Sequence, residues 1–179
     1  MSRVAKQLYF APSVRFADLD WSGGRLPLQF QQRITGFYLE PAVKLAKARH
    51  DFASGILAVC AMDALALFMT GSNSNARITG FARRYIPELA AKYDAEMFCD
   101  HFRNGLVHEA RVKDGSEFST EINRIVDIHH NYLVVNPLLL SIRVREVLED
   151  YIVALYHDPK AKIALAKKLK KTFRFELQH

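Results

Sequence analysis

Residues 56–69 are apolar at every position except Asp63, and that run constrains the fold more than any other feature of the sequence. A segment with no polar face must be covered on all sides. It falls short of the ~20 apolar residues that span a bilayer and carries an acid at its middle, so it reads as the central helix of a bundle. Asp51 is the expected N-cap, Thr70-Gly71 the expected end, and Ser72-Asn73-Ser74-Asn75 the polar loop that follows. With 179 residues, half of them hydrophobic, the chain has enough material for one core and is read as a single domain over residues 1–179.

The other elements follow from local signals. Leu8, Phe10, Val14 and Phe16 around Pro12 predict an extended N-terminal arm over residues 1–24, closing at the turn Trp21-Ser22-Gly23-Gly24. Helical spacing of Phe30, Ile34, Phe37 and Tyr38 predicts a helix over 28–39, and Pro41 can restart a second piece through Ala48, as one bent helix or two short ones. Shorter helices are expected over 77–86 and 95–108, the latter with Phe98, Phe102 and Leu106 on one face. Asp114-Gly115 marks a turn, and the β-branched run within 122–135 favours strands paired through His130-Asn131. Asn136-Pro137 and Asp158-Pro159 each read as a cap followed by an N1 proline, opening a long helix and a basic C-terminal helix over 159–175. The expected fold is mainly α, a helical bundle with a small β-hairpin element near residues 110–135.

The net charge of +6 is local: Lys160, Lys162, Lys167, Lys168, Lys170, Lys171 and Arg174 stand against Glu176 alone, and the remaining charges cancel. Ile163, Leu165, Ala166 and Leu169 are the expected docking face of that helix, leaving its lysines to water or phosphate. Residues near the amino terminus, with Arg3 and Lys6, lack the apolar stretch of a signal peptide, and Cys60 and Cys99 lie in apolar segments. The expected setting is a reducing cytoplasm, without membrane or disulfide framework.

Chemistry concentrates in Phe102-Arg103-Asn104-Gly105-Leu106-Val107-His108-Glu109. It joins a permanent cation, a carboxamide and a titratable imidazole. Residues five apart on an α-helix differ by roughly 140° around the axis, so Arg103 and His108 do not stack on one face of a regular helix. Gly105 eases a departure from that geometry, and a symmetric dimer offers a second way for the two to meet. Structural roles compete: Arg103 can pair with Asp100 or Glu96, and His108 can cap the helix end. Asp63, costly inside an apolar helix unless paired, can brace Arg103, bond a backbone amide or pair with another arginine.

Arg103-Asn104-Gly105-Leu106-Val107-His108 resembles the R-x4-6-H motif of HEPN domains, including the polar residue after the arginine. The layout over residues 28–157 is similar as well. The resemblance implies a HEPN-like helical bundle and a metal-independent endoribonuclease acting as a homodimer, with Arg103, His108 and Asn104 catalytic, Asp63 and Glu109 supporting, and no cofactor. It places such chains in prokaryotic toxin-antitoxin or antiphage systems, with an antitoxin or regulatory partner. One branch has a tyrosine two positions after the histidine; this chain has Ala110. A non-catalytic HEPN-like module that binds RNA or a nucleotide, or only assembles, is the alternative, and a plain interaction protein displaying its basic helix is a third.

Other chemistries find less support. Cys99, His101 and His108 lack a fourth ligand and point to different helix faces. His129-His130 sits in a strand-like segment whose neighbours face opposite sides. His50, His157 and His179 carry no accompanying pattern, and the glycines form neither a phosphate loop nor a Gly-x-Ser-x-Gly elbow.

Overall fold

The computed structural model describes residues 8–70 and 74–177. Part of the predicted arm and residues 71–73 of the predicted polar loop lie outside them. The chain is mainly α, with two small sheets. Helix α3 (Asp51–Thr70) runs through the centre, packed against α2 (Glu40–Lys47), α4 (Ser74–Tyr85) and α6 (Pro137–His157). Ala58, Ala61, Met62, Leu65 and Ala66 on α3 are fully buried. Among the described residues, α3 alone is long and apolar enough to cross a membrane, and half of it is buried inside the fold.

Asp51 is the first residue of α3 rather than its N-cap, and the His50 carbonyl accepts the Ser54 amide. The Asp51 carboxylate instead accepts the Thr120 amide at 2.7 Å and the Thr120 hydroxyl at 3.0 Å, fastening the loop that follows β3 (Glu117–Phe118) to the helix start. Ser74 and Asn75, read as loop, are the first residues of α4. A capping acid and a tethering acid are identical in sequence; the partner came from far along the chain.

Of the two arrangements the pattern around Pro41 allows, one bent helix or two short ones, the continuous one is present. Helix α1 (Leu26–Ile34) passes through a π-helical stretch, Thr35–Leu39, into α2. Proline lacks an amide and its ring collides with the carbonyl four residues back, and the wider winding relieves that collision. The Glu40 amide bonds the Thr35 carbonyl, five residues back.

Strands β1 (Tyr9–Ala11) and β2 (Val14–Arg15) form an antiparallel pair that buries Phe10, Ala11, Val14 and Phe16. The Arg33 guanidinium lies over the Phe10, Phe37 and Phe173 rings, tying the arm and the chain beyond the last helix to α1. The expected hairpin is present as β4 (Val126–Ile128) and β5 (Leu133–Val135), with Val126 opposite Val135. A third strand, β3, joins it parallel to β5, an arrangement the polar run around it does not announce. Gly55 of α3 lies under the Phe118 ring, where a Cβ would stand 2.4 Å from ring carbons. Phe118 meets Phe102 at a centroid distance of 4.9 Å, and Phe102 stacks on Phe98 at 5.3 Å. This aromatic chain seats the motif-bearing segment on the central helix.

Asn136 and Asp158 cap as expected: Asn136 accepts the Leu138 and Leu139 amides, and Asp158 the Lys160 and Ala161 amides. Helix α7 (Pro159–Thr172) stops three residues before the predicted boundary. Leu165 and Leu169 dock, but Ile163 is 68% exposed and belongs to the outer face. Lys168 donates to the Phe68 carbonyl at the C-terminal end of α3, where a cation is favourable, and Lys170 lies over Trp21.

Candidate functional site

Helix α5 (Lys92–Phe98) continues directly into an eleven-residue π-helical segment, Cys99–Glu109, which contains the whole motif. In a π-helix each residue advances about 80°, so positions five apart fall within about 50° of each other rather than 140°. That winding narrows the angle between Arg103 and His108 around the axis, but their surroundings differ: the Arg103 side chain is 14% exposed and His108 is exposed. It ends at Ala110, whose backbone is left-handed at φ 55° and whose amide bonds the Gly105 carbonyl. The chain then folds back over Gly105, and the Lys113 amide reaches the His101 carbonyl at 3.1 Å.

Arg103 points toward α3. Its Nε lies 3.6 Å from Asp63 Oδ2, and its Nη1 donates to Asn104 Oδ1 at 3.0 Å. Asp63 Oδ1 takes both Nη2 and Nε of Arg77, at 2.7 and 2.8 Å. Of the roles open to Asp63 in the sequence, the structure combines two: it faces Arg103 and pairs with another arginine. Arg103 Nε is buried with no hydrogen-bond acceptor, because 3.6 Å is an electrostatic contact and not a hydrogen bond.

His108 is exposed, as is Val107 beside it. Glu109 does not turn to His108: its two oxygens take Lys113 Nζ at 2.9 Å and Arg111 Nη2 at 2.7 Å. Lys113 also meets Asp100 at 3.1 Å. Lys113 holds the Glu109 and Asp100 carboxyls below the usual carboxylate range, and the two acids push the Lys113 ammonium up. Asp100 and Glu96 are thus engaged by Lys113 and Lys92 rather than by Arg103.

Asn104 also borders a cleft of about 580 Å³ between α4 and the start of the π-helical segment, lined by Thr79, Arg83, Lys92, Glu96 and Asp100. Cys99 lies at its base, where burial pushes the thiol up and away from the reactive thiolate. Cys60, in the apolar run of α3, is exposed.

One cluster was missed in the sequence. His101 is buried, its Nδ1 lies 2.9 Å from Ser116 Oγ, and its Nε2 lies 3.3 Å from Asp114 Oδ2. Asp100, His101 and Asp114 bring donor atoms within 4.8 Å of one another. Ser116 Oγ is itself buried and accepts the Leu133 amide at 2.8 Å, so the set links the motif helix to β5. The Asp114-Gly115 turn was the available signal: both residues have positive φ, which swings Asp114 back toward His101. The chain matches no family model, no curated protein and no solved structure.

Proposed function

We propose that this chain is a HEPN-like, metal-independent endoribonuclease of the cytoplasm, acting as a homodimer, in which Arg103, Asn104 and His108 meet the RNA. The observation that carries the reading is the π-winding of Cys99–Glu109, in which positions five apart lie closer around the axis than they do in an α-helix. His108, free of hydrogen bonds among the described residues, removes the ribose 2′-hydroxyl proton as its oxygen attacks phosphorus. Arg103, permanently charged, stabilises the negative charge that builds on the phosphoryl oxygens, and Asn104 orients the phosphate or ribose. As the P–O5′ bond breaks, the proton taken up by His108 passes to O5′, leaving a 2′,3′-cyclic phosphate and a 5′-hydroxyl. In a dimer the exposed Val107-His108 ridge of one chain faces that of its partner, and an antitoxin or other regulatory protein restrains the pair in a toxin-antitoxin or antiphage system.

A second reading has its own support. Asp63 and Asn104 both engage the Arg103 side chain, as in a HEPN-like module that binds RNA or a nucleotide without cutting it. Incubation of the purified protein with a mixed RNA pool in excess EDTA decides between them. Cleavage by the wild type and not by Arg103→Ala or His108→Ala is the expected result. Cleavage that His108→Ala leaves unchanged overturns the proposed chemistry, and RNA binding without cleavage by any of the three favours the module.

A further inference from the structure

We infer that Arg77 is a positioning residue for Arg103, acting through the Asp63 carboxylate to keep a single net positive charge at the site for one RNA phosphodiester; this rests on the reading of the site as RNA-binding. Three partly buried groups meet here. The side chains of Arg77 and Arg103 are each 14% exposed and that of Asp63 is 21% exposed. Two guanidiniums share one carboxylate, so one positive charge is left over.

The geometry says which arginine the acid pairs with more closely. Arg77 directs two N–H groups at Asp63 Oδ1, at 2.7 and 2.8 Å. Arg103 reaches only the other oxygen, at 3.6 Å, and its Nε finds no acceptor. Other neighbouring acids do not make up the difference. Asp100 and Glu109 are held by Lys113, and Glu109 by Arg111 as well. A guanidinium that shares its acid with a closer arginine is only partly compensated and is a place for an anion, and a phosphodiester supplies one negative charge with oxygen acceptors for the guanidinium fork. Were Arg77 absent, Asp63 would close on Arg103 and neutralise it. Arg77 thus touches no substrate, yet it decides whether Arg103 is available to one.

The test is a charge-reversal of effect between two variants. The probe is a 2′-O-methyl RNA oligonucleotide, which lacks the attacking hydroxyl, and its dissociation constant is measured at low and moderate salt with Arg103→Gln as the reference for loss of the cation. Arg77→Gln is expected to weaken binding about tenfold, approaching Arg103→Gln, because Asp63 then quenches Arg103. The double variant Arg77→Gln/Asp63→Asn removes one positive and one negative charge together and leaves Arg103 charged, so binding returns to within about threefold of wild type. A purely structural role for Arg77 predicts that the double variant binds no better than the single one, and that result overturns the inference. Circular dichroism melting accompanies each variant; if Arg77→Gln does not fold, the double variant against wild type decides by the same threefold criterion. A wild-type chain that binds the oligonucleotide while Arg77→Gln binds equally well overturns the inference alone, whereas a wild type that does not bind overturns the RNA reading and the inference with it.

Discussion

Gly105 and Arg111 meet backbone to backbone. The Arg111 amide donates to the Gly105 carbonyl at 3.3 Å, and a Cβ on Gly105 would stand 2.5 Å from the Arg111 carbonyl oxygen and 3.1 Å from Lys113 Cγ. The glycine inside the motif is therefore required by the chain folding back over the helix, independently of any chemistry. The same reversal carries Lys113 to Asp100 and Glu109. Gly105→Ala is expected to cost about 1–3 kcal/mol, because the new methyl meets backbone that cannot swing aside. Urea unfolding checks this, and a midpoint unchanged from wild type shows that the return segment does not press on the helix.

Asn136 and Asp158 perform the same capping role in different surroundings, which makes a matched pair. Asn136 is 4% exposed, accepts two helix amides and also donates to the Ile122 carbonyl at 2.7 Å. Asp158 accepts two amides but is exposed. Asn136→Ala is expected to cost about 2 kcal/mol, since the partly buried Ile122 carbonyl also loses its donor, and Asp158→Ala about 1 kcal/mol or less. Equal losses in denaturant unfolding contradict the distinction between the two sites.

Both caps were legible in the sequence because each is a local event: the side chain, the amides and the proline lie within four residues. The central helix was legible because residues 56–69 offered no polar face. What escaped depended on partners far along the chain. Asp51 resembled a cap until Thr120, 69 positions away, took its carboxylate. Ile163 fitted the apolar pattern of the last helix, yet the face that docks is set by the surface beneath it, which the pattern of one helix does not contain. At the candidate site, the sequence offered Asp63 as a brace but gave no reason to choose Arg77, 14 positions on, because the choice depends on how α4 lies across α3. The π-winding that relates Arg103 to His108 was foreshadowed only by Gly105; a departure from 3.6-residue periodicity leaves no apolar pattern of its own in so short a segment.

Tyr151 gives the chain a distinct alkaline signature. Its hydroxyl lies 3.4 Å from the Phe68 carbonyl, and burial pushes its pKa up to about 12. A folded pKa above the unfolded value means that the neutral phenol stabilises the fold fully below pH 10.0, and that this contribution is lost as the pH rises toward 12. Ultraviolet titration of the seven tyrosines is expected to show one ionising late, and that component disappears in Tyr151→Phe. A late component that survives the substitution belongs to another tyrosine and removes the assignment.

The Lys113 network sets a pH dependence at the other extreme. Asp100 and Glu109 have carboxyls depressed below their ordinary values of 3.8 and 4.5, chiefly by hydrogen bonds from Lys113, while Lys113 is raised above 10.5. Depressed carboxyls stabilise the fold above their unfolded pKa values and cease to do so as the pH falls through the folded ones. The raised ammonium stabilises it below its unfolded value and ceases to do so at strongly alkaline pH. Between those limits the network contributes a constant amount. Lys113→Met keeps the aliphatic stem over Gly105 and removes the charge, so it is expected to lower the urea midpoint at pH 7 and to converge on wild type as the pH falls through the depressed pKa values of both acids. Added salt reduces the gap at pH 7, because all three groups are near the surface. A gap that persists undiminished at acid pH means that the lysine stem, and not its charge, holds the return segment in place.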